Sequence, residues 1–435
     1  MEKKTFKNLD LSVFEETLPN GLRLFLCPMP RHEVAAQMTV LFGGSVLEFE
    51  LNGKDIKVPA GIAHFLEHKM FEKEDGTDPL KVYESTGAYA NAFTTPYITA
   101  YHFEGGDDFF KNLKNLLDTV HKPYFTDENV LKEKGIITQE KKNTLDEPRS
   151  VAYDKSNENL FKNSYFKNSV LGSLKDINSI TKEMLYDCYN AFYHPSNMYL
   201  TITGGFELDK TLDFIKKYYE DLGLSYQKPP IKIPKEEPET VVKEKEIVYR
   251  NTENKEILIS YKVKTPKENK VITDLYFSLL LNLKFSEISD FTDITFNDEN
   301  IITDVGCNFY KADDYYIINV GITVKEDTEK IINLIDNAIN DKNYSEKEFN
   351  LIKKVLLSSV VLLTEKVPRT RDSISSDIYL YGNVNYDIYD TYKNITYDKF
   401  KEFVFKLDFS NKTITIVEKD KWPLSFLIDK KINFY

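Results

Sequence analysis

The chain reads as two copies of one unit. SITKEML at Ser179 has an echo in NITYDKF at Asn394, at an offset of 215 residues. HPSNMYLTIT, with Ser196-Asn197, returns as DFSNKTITIV, with Ser410-Asn411, at an offset of 214. The segment TDENVLKEKGIITQE…EPR lines up with SEKEFNLIKKVLLSS…VPR, which sets Thr126 on Ser345 and Pro148 on Pro368, at offsets of 219 and 220. Three matches in the same order at nearly constant spacing mark a duplication of about 215 residues. A chain of 435 residues also exceeds what one hydrophobic core usually holds.

Within the first copy, strand and helix patterns follow one another. Pro19-Asn20-Gly21 makes a turn before a strand from Leu22 to Cys27, and a second strand runs from about Val34 to Phe42. A short helix is expected over residues 59–72, with Pro59 at its entry. Residues 87–104 alternate like sheet. Asp107 is then expected to cap a helix whose apolar positions, Phe110, Leu113, Leu117 and Val120, step by three and four. Another helix starts after Thr126-Asp127 and stops near Leu145, because Pro148 disfavours helix in the residue before it. Thr181–Phe192 and Leu208–Tyr219 read as helices, with a strand at Met198–Thr203 between them.

The segment QKPPIKIPKEEPETVVKEKE holds four prolines between Pro229 and Pro238 and dense charge, the composition of an exposed, extended linker. The expected fold class is therefore α+β. It comprises two related α/β-sandwich domains, each a mostly antiparallel sheet packed with helices. The expected division is a domain over 1–225, a linker over 226–246 and a second copy over 247–435.

Charge and cysteine usage narrow the function classes. A formal charge of −12 argues against a nucleic-acid surface, which needs concentrated positive charge. Cys27, Cys188 and Cys307 are scattered and odd in number, so they are expected to be reduced thiols rather than a disulfide framework. The start, MEKKTFKNLDLSVFEE, has basic residues without an apolar run behind them. No stretch approaches the ~20 apolar residues that span a bilayer. A cytoplasmic location, away from any membrane, is expected.

The chemistry concentrates in His64-Phe65-Leu66-Glu67-His68. On a helix, i, i+3 and i+4 share a face, so the two imidazoles and the carboxylate point the same way. Two histidines one turn apart suit one Zn²⁺. Glu67 is too close to be an easy third ligand but can reach a water at the metal, the arrangement of the H-x-x-E-H inverzincin motif. Ile62, Phe65 and Leu66 are expected to be buried around them, where unused polar groups would be costly. A catalytic zinc usually takes three protein ligands and keeps one position open. Glu133 and Glu140, two turns apart on the later helix, share one face. Their spacing alone does not set them apart from solvated glutamates.

At these residues the sequence resembles the pitrilysin/insulinase/mitochondrial processing peptidase family of zinc peptidases, nearest to its short bacterial members. The resemblance covers most of residues 15–220, through the HFLEH helix, GAYANAFTTPYITAY, FTDENVLKEKGIITQE and FYHPSNM. It implies that Glu140 is the third metal ligand and that Glu133 is a supporting carboxylate that orients a ligand. It implies that Glu67 is the general base for a zinc-activated water. It also implies that Asn91 and Ala92 lie on an exposed edge strand, to which a peptide adds by main-chain hydrogen bonds.

The second copy departs from this pattern. At the offset of 219, Ile352 stands at the position of Glu133 and Ser359 at that of Glu140, and YFSLLLNLKF offers no metal helix. The Arg and Tyr that the family's fully equipped members carry seven apart in this half fall on Phe296 and Thr303. Arg369 and Arg371 in VPRTRD are expected at a helix end. The resemblance therefore implies a zinc endopeptidase in a dimeric chamber, a heterodimer with a related chain or a self-associated form. The chain's own Tyr310 or Arg369 is the alternative source of the missing groups. Two other readings are a non-enzymatic scaffold or regulatory subunit and a zinc hydrolase of non-peptide substrates. The intact metal set weighs against the first of these, and the β-edge beside the metal against the second.

Overall fold

The computed structural model describes residues 1–51, 53–298, 302–324 and 328–419. The chain divides into two compact units. The first comprises Met1–Gln139, Asn168–Pro234 and Lys353–Ile395. The second comprises Glu140–Lys167, Lys235–Ile352 and the chain from Thr396 onward.

Strands of the first unit are β1 (Glu2–Thr5), β2 (Ser12–Thr17), β3 (Arg23–Pro28), β4 (Val34–Val40), β5 (Glu48–Leu51), β6 (Lys54–Lys57), β7 (Tyr89–Thr94), β8 (Thr99–Gly105), β9 (Met198–Gly204) and β10 (Ile231–Lys232). Seven form one sheet in the order β1-β2-β3-β9-β4-β8-β7, while β10, β5 and β6 form a small second one. Every pairing in the large sheet is antiparallel except β3 with β9. β4, VAAQMTV, is buried at all its residues, as a central strand covered on both faces must be.

Alternation along these strands gives the sheet two different faces. On one, Phe25, Cys27, Ala35 and Tyr199 pack against Val367, Ile374 and Ile378 of the helix Val367–Tyr381. Thr203 Oγ1 donates to the carbonyl of Val367 at 2.9 Å, and the Tyr199 hydroxyl to that of Ser375 at 2.8 Å. The other face carries helices α1 (Ile62–Lys69), α2 (Pro79–Glu84) and α3 (Phe109–His121). Next in the chain come α4 (Asp127–Asp146) and α5 (Pro148–Leu160). In α3, Leu113, Leu117 and Val120 are buried as their spacing predicts, while Phe110 is exposed. Asp107 does not cap it: α3 begins after Asp108, a left-handed residue at φ 51°, without a side-chain cap.

The second unit holds β11 (Lys245–Arg250), β12 (Lys255–Lys264), β13 (Ile302–Ala312), β14 (Tyr315–Val324) and β15 (Lys412–Lys419), in the order β11-β15-β12-β14-β13. All pairings are antiparallel but β11 with β15. Val151 and Ala152 of α5 pack on Leu258 and Val417 of this sheet.

Both units are α+β, as the sequence predicts. They differ from the linear division at 226–246, for a physical reason. α5 begins at the EPR of the first repeat and the helix Val367–Tyr381 at the VPR of the second, so they are equivalent elements. Each lays its apolar face on the sheet drawn mainly from the other repeat. One crossing between the units falls inside the Pro229–Pro238 segment, after Pro234. That segment is anchored at Glu237, whose buried carboxylate accepts the backbone N–H groups of Lys162 (2.9 Å), Asn163 (2.7 Å) and Ser164 (2.7 Å), and meets Lys262 Nζ at 3.0 Å.

Candidate metal centre

α1 enters through Gly61, whose φ of +87° suits glycine alone. A Cβ there would stand 2.3 Å from the carbonyl oxygen of Leu171. Ile62, Ala63, Phe65 and Leu66 are buried, which turns His64, Glu67 and His68 onto a common face. The two imidazole rings lie 4.6 Å apart between centroids. One ligand atom each from His64, His68 and Glu140 lie within 4.8 Å of one another, the one such group found among the described residues.

Glu133, two turns before Glu140 on α4, is buried and lies 2.9 Å from His68 Nδ1 through its Oε1. If Glu133 accepts the Nδ1 proton, Nε2 is left as the nitrogen of His68 that could hold a metal. Burial acts to raise the Glu133 carboxyl. The hydrogen bond and charge of His68, with Lys69 and Lys132, outweigh it and hold the group below the usual carboxylate range. His64 is pushed down to about 4, first by burial and second by the charge of His68. It is therefore neutral near pH 7, the form that ligates a metal. Two nitrogen donors and one carboxylate oxygen are a donor set that fits zinc.

Glu67 is buried, and its Oε2 accepts a hydrogen bond from Thr94 Oγ1 at 2.6 Å. Sequence reasoning passed over Thr94. The signal was its parity: along YANAFT it shares a face with Ala90 and Ala92, opposite Tyr89, Asn91 and Phe93. Next to His68, the fully buried Lys69 pairs with Glu72 at 2.5 Å and reaches the Asn129 carbonyl of α4 at 3.3 Å.

β7 is the terminal strand of the large sheet, so Asn91 and Ala92 do lie on an edge. Its turn closes with Thr95 N–H on the carbonyl of Ile98 at 2.8 Å. That parity directs the backbone of Phe93, Asn91 and Tyr89 towards β8 and the backbone of Ala90, Ala92 and Thr94 outward. The Asn91 side chain caps the outward N–H of Ala92 at 2.9 Å and donates to the Tyr89 hydroxyl at 3.0 Å.

In the second repeat, Ile352 is buried, and Ser359 Oγ donates to the Val355 carbonyl at 3.1 Å. The helix Lys270–Phe285 carries YFSLLLNLKF and buries its Tyr276, Phe277, Leu279, Leu280, Leu281 and Phe285. Phe296 is half-buried, and Thr303 lies on β13 with its side chain outside the described residues. The Tyr310 hydroxyl donates to Asn157 at 2.7 Å, and Arg369 is exposed. Arg371 does not cap a helix end: it is buried and bonded to Glu104 at 3.0 Å and Asp372 at 2.8 Å. A guanidinium at that depth needs carboxylate partners, which sequence position does not reveal.

Residues 54–174 match the family described as Insulinase (Peptidase family M16), and residues 179–356 match the Peptidase M16 inactive domain. An uncharacterized zinc protease of Bacillus subtilis, YmfH, is 36% identical over 296 residues, which is 65% of this chain and 68% of that protein. The chain belongs to the insulinase family of peptidases, M16. An M16-like peptidase structure from Alicyclobacillus acidocaldarius superimposes with a TM-score of 0.88 at 26% identity, covering 95% of this chain and all of that one. The beta subunit of the human mitochondrial-processing peptidase is 27% identical over 165 residues, 37% of this chain and 34% of that subunit. The chain spans about half the length of the next curated relatives it matches. Among the described residues, no helix is long and apolar enough to cross a membrane.

Proposed function

We propose that this M16 chain is a zinc-dependent endopeptidase acting on unstructured peptides, with His64, His68 and Glu140 as metal ligands and Glu67 as general base. The observation that carries the reading is the convergence of those three ligand atoms within 4.8 Å, two of them from the face of α1 that also bears Glu67 and the third from α4. Zinc, when bound, would lower the pKa of a water and polarise the scissile carbonyl. The chain's own residues do the rest. Glu133 orients His68, and Lys69 ties α1 to α4, so the ligand spacing is set before any metal arrives. A peptide adds to the outward groups of Ala90, Ala92 and Thr94, with Asn91 swinging off the Ala92 N–H to admit it. Glu67 takes the proton of the attacking water and returns it to the leaving amine, a contribution of typically ~10²–10⁴-fold.

The partner belongs to the same proposal. Phe296 and Thr303 replace a substrate-holding Arg/Tyr pair, so a related second chain is expected to close the chamber and supply it. The relatives named as zinc proteases and the processing-peptidase subunit support this reading. The location expected is cytoplasmic.

The test is metal analysis with digestion of a mixed peptide library. About one zinc per chain is expected, lost on His68→Ala and kept on Glu67→Gln, with cleavage lost in both. Cleavage by Glu67→Gln at the wild-type rate would remove the general-base assignment.

A further inference from the structure

We infer that Thr94 is a positioning residue that couples the seating of the peptide to the orientation of Glu67; this rests on the reading of the preceding subsection. Thr94 is the last residue of the edge strand, and it serves two partners at once. Its backbone has the outward parity of Ala90 and Ala92, so it belongs to the row a peptide strand pairs with. Its side chain points to the opposite side of the strand from Asn91 and donates to Glu67 Oε2 at 2.6 Å. A hydrogen bond of that length to a carboxylate is in the charge-assisted range.

The direction of the Thr94 hydroxyl is fixed by its neighbours. Thr99 Oγ1 lies 3.3 Å away, but Thr99 donates its one proton to the carbonyl of Phe42 at 2.9 Å. The Thr94 proton is therefore directed at Glu67, and one carboxylate oxygen is pinned. The position of Thr94 is fixed from behind as well. The turn Thr95–Ile98 is held by Gly44 N–H on the Thr95 carbonyl at 2.9 Å, and by Ser45, whose N–H and Oγ reach the Pro96 carbonyl at 3.0 and 2.6 Å. At Gly43 a Cβ would lie 2.5 Å from Ile98 N and Thr95 O, so only glycine lets the loop grip the turn this closely.

A strand that is ordered by a bound peptide thus carries its order through one residue to the base. Substrate bound elsewhere, or out of register, would leave that link unused. This is a positioning role, since Thr94 reaches the chemistry through Glu67.

The experiment compares Thr94→Val, which keeps the shape, with Thr94→Ser, which keeps the hydroxyl, in the zinc-loaded protein together with whatever partner chain it requires. Fluorogenic peptide kinetics, zinc content and crystal structures of both variants are measured. Thr94→Val is expected to lower kcat by about 10- to 100-fold, the loss of one hydrogen bond to a charged group. KM should stay within about twofold and zinc content should equal wild type, since the ligands are untouched. In the Val variant the Glu67 carboxylate should take more than one conformer, and Thr94→Ser should restore both the rate and the single conformer.

A Val variant with wild-type kcat, or one with a single Glu67 conformer, overturns the inference. So does a loss expressed in KM or zinc content alone. If the wild-type protein itself cleaves no peptide, the proposed function falls, and the conformer comparison still decides whether Thr94 positions Glu67.

Discussion

Asp377 shows how this fold tolerates a carboxyl group where water does not reach. It sits in the helix Val367–Tyr381 with 7% of its surface exposed, and burial pushes its pKa up to about 7 against the pull of the Asn385 backbone N–H at 2.9 Å. An unfolded aspartate ionises near pH ~3.9, so between about pH 4 and pH 7 the native state holds a proton that the unfolded state has released. Stability contributed at this site is therefore greatest below pH ~4 and is lost as pH rises towards 7. Asp377→Asn keeps an acceptor for the Asn385 N–H and removes the ionisation. Its melting temperature relative to wild type should climb between pH 4 and pH 7 and level off above. A difference independent of pH would show that the carboxyl is not the burdened group. Residues of this kind also mark what sequence can and cannot disclose. His64, Glu67 and His68 were legible because a helix turns a spacing into a face. Glu140 was not legible from spacing, since any solvated helix offers glutamates two turns apart, and it needed the family resemblance. Thr94 and Arg371 depend on partners 27 and 267 residues away, Glu67 and Glu104, and no local pattern announces those.

At the scale of elements, α1 is short, with only eight residues, too few to hold itself together without packing. Its geometry is imposed at both ends. Gly61 turns the chain in with a left-handed conformation, and Lys69 fastens the far end to the Asn129 carbonyl. Gly61→Ala brings a left-handed alanine, a cost of roughly 1–2 kcal/mol, together with a Cβ 2.3 Å from a backbone oxygen that cannot swing aside. The expected result is a lower melting temperature and weaker zinc retention against a chelator, because His64 lies three residues from the disturbed entry. Wild-type zinc retention in that variant would show that α1 is positioned by its packing alone. The strand and helix sequence of the first repeat was readable because its periodicities are clean, as in Leu113, Leu117 and Val120. The start of α3 was not, because Asp108 achieves the turn with its backbone and no side-chain cap. The interleaving of α5 and Val367–Tyr381 was not legible either. An amphipathic helix shows that it has a buried face, never which sheet covers it.

Across the whole molecule, the candidate metal ligands fall in the first repeat alone, and two of the second repeat's side chains that could hold a substrate, Tyr310 and Arg371, are already engaged. Tyr310 gives its hydroxyl to Asn157, within its own unit. Arg371 is buried against Glu104 and Asp372, and freeing it would leave those carboxylates without their cation. Arg369 remains exposed, but it is a lone cation without a tyrosine seven residues on. Under the proposed function a substrate clamp would come from outside the chain, because a displacement of ~1 Å at the scissile bond can cost ~10²-fold in rate. The expected outcome is that the purified chain binds zinc but turns over peptide slowly. Adding a related chain that carries an Arg/Tyr pair should raise kcat by about 100-fold without changing zinc content. Self-association gives a different signature: specific activity of the chain alone would rise with its own concentration and need no second chain. Full activity that is independent of both concentration and partner would overturn the partner requirement and return the role to Tyr310 or Arg369. Variants at those two positions would then lose activity, whereas under the partner mechanism they should leave it within about twofold.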